Sequence, residues 1–368
     1  MIAMYKLKQF GWCAQTNLSR KTIPNNTILH VVRTLAIAAA IASAMGLLLP
    51  RQAEAQEESA LTVSTDEQSV HIFPTVSKSA ELASIAPFPP GPLTYHGGPV
   101  MTKATTYAIF WVPPALQNGA ATSMSAHYQN VQKALLKLYP GHGIDNNNTQ
   151  YYMTKSSGLF SQTLYIQNAG GLVKSIVDTT PYPASGCSDS HTPGNCLTDA
   201  QIKAEIQNVM TANGWTGGLN KMFLLYTSSG EGSCAGIRCA YQDYCAYHGY
   251  FLSGSTPVIY GNEPYAAADG CQLPGASSPN SDPAADAAAS ITSHELTEAI
   301  TDPELNAWYA GDGEIADLCA WNYGANTWDS GKANQSWPIS VSPLGGIRFF
   351  ELQQEYDNHS GGCVQVGP

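Results

Sequence analysis

The sequence predicts a single domain of the α/β (α+β) class, exported and stapled by disulfides. Three observations predict it. Short β-type runs alternate with helical stretches from residue 93 onward, eight cysteines follow an N-terminal leader, and one long Ala-rich helix carries closely spaced His and Glu residues.

The leader comes first. Lys6, Lys8, Arg20, Lys21 and Arg33 precede the apolar run Thr34–Leu49, which ends near Ala53-Glu54-Ala55. A basic start, an apolar stretch and a small-x-small site make a cleavable signal peptide over 1–55. The run is short for a membrane span, so the expectation is a secreted chain with no stable membrane anchor after cleavage. Residues 56–92 are rich in Ser, Glu, Ala and Pro and read as a flexible stalk or pro-segment. The folded domain is expected over 93–368.

Charged residues are only 12% of the 368, about half the usual share. Setting aside the six basic residues and Glu54 of 1–55 turns 17 basic and 28 acidic residues into 11 and 27. Such a surface repels phosphate backbones, which argues against nucleic acid as a partner. A polypeptide substrate or a cell-wall component is the expected partner. Eight cysteines in an exported chain predict four disulfides. Cys187–Cys196 and Cys319–Cys363 are the expected pairs. Cys234, Cys239, Cys245 and Cys271 stay ambiguous among themselves.

The elements follow in order. Thr105–Val112 reads as a strand stopped by Pro113-Pro114, and Ser123–Tyr139 as an amphipathic helix. Gln162–Gln167 is a strand. Thr198–Met210 is a helix capped by Thr198 or Asp199. Lys221–Thr227 suits a central strand, and Tyr250–Leu252 and Pro257–Tyr260 are short strands. The last helix opens at Asp282-Pro283, with an N-cap acid and Pro at the first helical position. It contains five alanines between 284 and 289 and stops at Asp302-Pro303.

That helix carries His294-Glu295-Leu-Thr-Glu298. His294 and Glu298 lie four apart on one face, within reach of one metal ion. Glu295, on the neighbouring flank, is placed to take a proton from metal-bound water, as in H-E-x-x-H sites. A zinc site needs a third ligand; Glu314 or Asp317, in Glu314-Ile-Ala-Asp317-Leu-Cys319, supplies it. Zn2+ is the expected ion, and the carboxylate-rich donor set also admits Ca2+ or Mn2+. His248, in Cys245-Ala-Tyr-His-Gly-Tyr250, is a candidate donor to a substrate oxyanion; the alternative is a packed histidine beside a disulfide. His96 reads as a turn residue, and Tyr309 and His359 as weaker candidates. No Gly-x-Ser-x-Gly elbow, P-loop or dinucleotide fingerprint occurs.

Several blocks resemble the phosphate-induced, Exordium-like family of secreted proteins. They are Tyr95-His-Gly-Gly-Pro-Val100, His294–Pro303, Asn306-Ala-Trp-Tyr-Ala-Gly311, Glu314–Cys319 and Gly361-Gly-Cys363. The His-Glu motif, with Glu298 in the second histidine's place, resembles that of gluzincin metallopeptidases. The combined resemblance implies a zincin-like domain with a mixed twisted sheet and a central motif-bearing helix. It gives His294, Glu295, Glu298, Glu314 and Asp317 as metal-site positions. Two functions are expected from these residues: a secreted zinc-dependent peptidase-like hydrolase, or a non-catalytic extracellular binding or signalling protein whose metal is structural or absent.

Overall fold

The computed structural model describes residues 60–65, 68–85, 91–158, 160–266, 270–272, 278–311, 313–324, 333–338 and 347–368. The chain divides into two units, Met1–Gln56 and Glu57–Pro368. The first, with the predicted leader and most of its cleavage context, lies outside the described residues.

The frame of the second unit is a seven-stranded mixed sheet. Its strands are β1 (Thr62–Ser64), β2 (Ser69–Pro74), β3 (Ala104–Trp111), β4 (Gly170–Asp178), β5 (Lys221–Thr227), β6 (Tyr244–Ser253) and β7 (Thr256–Glu263), in the order β1-β2-β6-β7-β5-β3-β4. Strands β7, β5, β3 and β4 run parallel, and β1, β2, β6 and β7 pair antiparallel. The mixed-sheet expectation holds. Parallel strands covered on both faces read as continuous apolar runs, which is why Lys221–Thr227 was legible as central.

The flexible-stalk reading of 56–92 is corrected for much of its length. Residues 62–64 and 69–74 are strands of the main sheet, followed by helix α1 (Val76–Ile85). The physical reason is an alternation that the polar flanks mask. Val70 and Ile72 bury into one face of the sheet while His71 and Phe73 bury into the other.

Helices cover both faces. Helix α2 (Ala126–Leu138), capped by Ser125, packs against α4 (Pro283–Thr301) on the face formed by Phe73, Phe110, Leu224, Tyr226 and Ile259. Gln132 Nε2 ties the two helices by donating to the Ala285 carbonyl at 2.7 Å. Helix α3 (Asp199–Asn213) covers the opposite face, burying Ile202, Ile206 and Val209 against Tyr107, Phe223, Leu225 and Tyr260. Its cap is Thr198, in a reciprocal box with Gln201, an arrangement that contributes about 1 kcal/mol. Burial of each large apolar side chain contributes roughly 1.5–3 kcal/mol.

Helix α4 begins as predicted, with Asp282 accepting from the Ala285 backbone N–H at 3.1 Å. Every residue from Ala284 to Thr301 is buried. Small Ala, Ser and Thr side chains let the sheet, α2 and the C-terminal segments approach it from all sides. It stops at Asp302, whose Oδ1 accepts from the Asn306 and Ala307 backbone N–H groups.

Four disulfides staple the fold. Cys187–Cys196 and Cys319–Cys363 are as expected, and the ambiguous four resolve as Cys234–Cys239 and Cys245–Cys271. Register decides one of these: Cys234 and Cys239 sit directly opposite each other in an antiparallel pair. Among the described residues no helix is long and apolar enough to cross a membrane.

Candidate metal centre

Five separate stretches of chain meet at one buried point between the sheet and α4. Strand β2 supplies His71, and β6 supplies His248 as its direct cross-strand partner, with ring centroids 5.7 Å apart. Helix α4 supplies His294, Glu295 and Glu298. The segment after it brings Glu314 and Asp317, the latter opening a short 3-10 turn tied by Cys319 to Cys363. Gln353, in the C-terminal segment, closes the set behind His294.

The contacts are dense. His71 Nε2 lies 2.6 Å from Asp317 Oδ2, and its Nδ1 lies 3.3 Å from Thr62 Oγ1 and 3.5 Å from Glu314 Oε1. His248 Nδ1 lies 3.2 Å from Glu295 Oε2 and 3.7 Å from Glu298 Oε2, while its Nε2 faces Glu314 Oε2 at 3.9 Å. His294 Nε2 is 3.0 Å from Glu298 Oε1 and 3.6 Å from Asp317 Oδ1, and is aligned with neither as a hydrogen bond. Glu298 Oε1 accepts from the Asp317 backbone N–H at 3.2 Å, and Asp317 Oδ2 from that of Glu314 at 2.9 Å. Phe73 stacks on the His294 ring at 3.8 Å, and Trp321 stacks on Phe73 at 4.7 Å.

No solvent reaches this point. His248, His294, Glu295 and Glu298 are 0% exposed, and His71, Glu314 and Asp317 at most 2%. Four carboxylates and three imidazoles therefore share a medium that penalises charge. Burial and neighbouring acids push the Glu314 carboxyl well above the ordinary range. The Glu295 carboxyl is also pushed well above it by burial, with Glu298, Glu263 and Asp317 adding to the shift against His294. Glu298 is raised by burial and by Asp317. Burial acts on Asp317 in the same direction, but His71 and His294 outweigh it and hold Asp317 below the usual carboxylate value. Burial also lowers the pKa of each histidine. In His248 it dominates, whereas Asp317 overcomes it in His71, and Glu298 with Asp317 in His294.

The donor set fits a metal ion. His294 Nε2, Glu295 Oε1, Glu298 Oε2, Glu314 Oε2 and Asp317 Oδ1 are buried and have no hydrogen-bond partner. Each such atom costs about 1–3 kcal/mol if nothing satisfies it. Two triads have ligand atoms all within 4.8 Å of one another: His71, Glu298 and Asp317, and His248, Glu295 and Glu298.

The structure thus gathers six of the residues singled out from the sequence, His248, His294, Glu295, Glu298, Glu314 and Asp317, with changes of place. Glu295 sits inside the cluster rather than on an accessible flank. His248 is fully buried and enclosed among carboxylates. Glu314 faces the outer ring nitrogens of His71 and His248. His71 and Gln353 were missed. His71 had a signal in the alternation of Val70, Ile72 and Phe73; Gln353 had none. His96 is an exposed residue stacked on Tyr309 at 3.6 Å, outside the cluster.

The segments Tyr95–Val100 and Asn306–Gly311 also meet in space. Thr94–Tyr95 pairs with Trp308–Tyr309, and the Gly98 N–H donates to the Asn306 carbonyl at 2.9 Å. A Cβ on Gly98 would fall 1.7 Å from Asn306 Oδ1, so this approach requires glycine.

Fold and site together define a disulfide-bonded mixed α/β protein with a closed His/carboxylate centre. Among known proteins, the chain is similar to Protein EXORDIUM-like 3 of Arabidopsis thaliana, with 26% identity over 261 residues, covering 63% of this chain and 69% of that protein. It is similar also to Protein EXORDIUM-like 5 of the same plant, with 42% identity over 52 residues, covering 13% of this chain and 14% of that protein. Both similarities support the Exordium-like family. No protein-family model matches the chain, and no solved structure matches it.

Proposed function

We propose that this chain is a secreted, non-catalytic binding or signalling protein of the Exordium-like kind, in which the buried cluster holds a divalent metal ion as a structural centre. Zinc is the first candidate. His71, His294, Glu298 and Asp317 would hold it, and the ion would neutralise carboxylates that burial otherwise forces to take up protons. Four disulfides favour an oxidising, extracellular setting. A weakly charged surface suits a cell-wall component as partner.

One observation carries this reading: Glu295 is 0% exposed. A peptidase needs its general base beside an open metal position that a peptide can reach, whereas structural metal sites are closed. Here Glu295 and the residues around it are closed to solvent.

The test pairs activity with stability. The purified protein is incubated with a peptide library, with and without a chelator, and its Tm is measured in both conditions. The expected result is no cleavage and a Tm lowered by chelator. At an ion concentration near 100 times Kd, bound metal contributes about 2.7 kcal/mol, or roughly 5 °C for a domain of this size. Chelator-sensitive cleavage abolished in Glu295→Gln would restore the peptidase reading. A metal-free protein indifferent to chelator would remove the metal.

A further inference from the structure

Glu298 occupies a special place in the cluster because its two oxygens face different partners. Oε1 lies on the side of His294 and the Asp317 backbone, at 3.0 and 3.2 Å. Oε2 lies on the side of His248, at 3.7 Å, and has no hydrogen-bond partner. Glu298 is also the residue common to the two ligand triads. We infer that the cluster is a two-ion centre, in which the Glu298 carboxylate bridges a pair of divalent first-row metal ions. This deepens the single-metal reading above and rests on it.

The geometry divides the donors cleanly. The first ion takes His71 Nε2, Asp317 and Glu298 Oε1, with His294 Nε2 beside them. The second takes His248 Nδ1, Glu295 and Glu298 Oε2. The outer nitrogens, His71 Nδ1 and His248 Nε2, both face Glu314, at 3.5 and 3.9 Å. Glu314 thus stands behind both rings, with no hydrogen bond to His248, and lies outside both donor sets.

Charge counts the same way. The four carboxylates carry four negative charges when ionised. One divalent ion matches two of them and leaves the other two to take up protons, whereas two divalent ions with three neutral imidazoles match all four. Paired ions held by carboxylates and imidazoles are an established type of centre in proteins, about 3.5–4 Å apart. Mixed imidazole and carboxylate donors select zinc, manganese or iron over calcium, which prefers oxygen throughout.

The experiment is a count and a spectrum. Metal content per chain is measured by elemental analysis on the full-length secreted protein as isolated. The chelator-stripped protein is then titrated with Mn2+ and followed by electron paramagnetic resonance. The expected result is two ions per chain and, at saturation, an exchange-coupled spectrum in place of an isolated six-line signal. Glu295→Gln and His71→Ala should each lower the count from two to one, and Glu298→Gln should remove the coupling. One ion per chain with an uncoupled six-line spectrum overturns the pair and leaves the single structural metal standing. No bound ion in the wild-type protein overturns both. The wild-type titration needs no variant to fold.

Discussion

Two clusters of buried charge, one on each face of the central sheet, differ in balance. On the α3 face, Asp199 and Lys203 form an ion pair at 2.9 Å, and Asp199 Oδ1 also accepts from the Tyr247 and Tyr260 hydroxyls at 3.0 and 2.5 Å. One anion meets one cation at one carboxylate oxygen, and two hydroxyls donate to the other. On the α4 face, four carboxylates meet three imidazoles and several oxygens point at nothing. The first arrangement is complete as a piece of architecture. The second becomes complete only with something added. Burial of charge is thus no indicator of a binding site by itself; what sets the second cluster apart is that several unpartnered oxygens and a ring nitrogen gather at one point.

The sharpest way to break this comparison is to delete one carboxylate from each face. Asp199→Ala removes the carboxylate facing a buried ammonium and should cost about 3–5 kcal/mol in denaturant unfolding. Glu298→Gln, measured in metal-free protein, should be close to neutral or stabilising, because it removes a charge from a crowded set. Equal costs would mean that the cluster is a self-sufficient ionic network.

A middle-sized effect comes from a third buried acid. Glu355 accepts from Thr297 Oγ1 at 2.6 Å and Tyr139 Oη at 3.1 Å, and burial raises its pKa to about 8. A raised acid holds its proton more tightly in the folded chain. Its contribution is therefore full below the unfolded value of about 4.3, and is lost as pH rises through about 8. Metal-free protein should be more stable at pH 5 than at pH 8.5. Glu355→Gln keeps the accepting oxygen and should recover on the order of 2–4 kcal/mol at the higher pH while changing little at the lower. An unchanged pH slope in the variant would show that Glu355 is not the group responsible. The smallest effect is expected at His96→Ala, an exposed ring outside the cluster. Tm should move by no more than about 0.5 kcal/mol equivalent, with metal content untouched. A loss of metal there would extend the centre to the surface.

What was legible in the sequence was local. Helix α4 announced itself through Asp282-Pro283 and its alanines, α3 through Thr198, and the His/carboxylate cluster through residues spaced within one helix and the turn after it. What was not legible was long-range. Pairing of β2 with β6 places His71 opposite His248, across 177 residues of chain, and no spacing rule reaches that far. Composition misled as well, since the Ser- and Glu-rich flanks of β2 outweighed six residues of alternation. Partner choice among the middle cysteines waited on strand register for the same reason.

Strand β2 has a further consequence. It is held by ladder hydrogen bonds and by the burial of Val70, Ile72 and Phe73, and the chain has no cysteine between Cys13 and Cys187. A cut anywhere from Thr75 to Leu93 would leave the strand as a separate peptide with no covalent tether. That peptide would carry His71 with it. The His/carboxylate cluster would then be complete only for as long as the cut strand kept its place in the sheet.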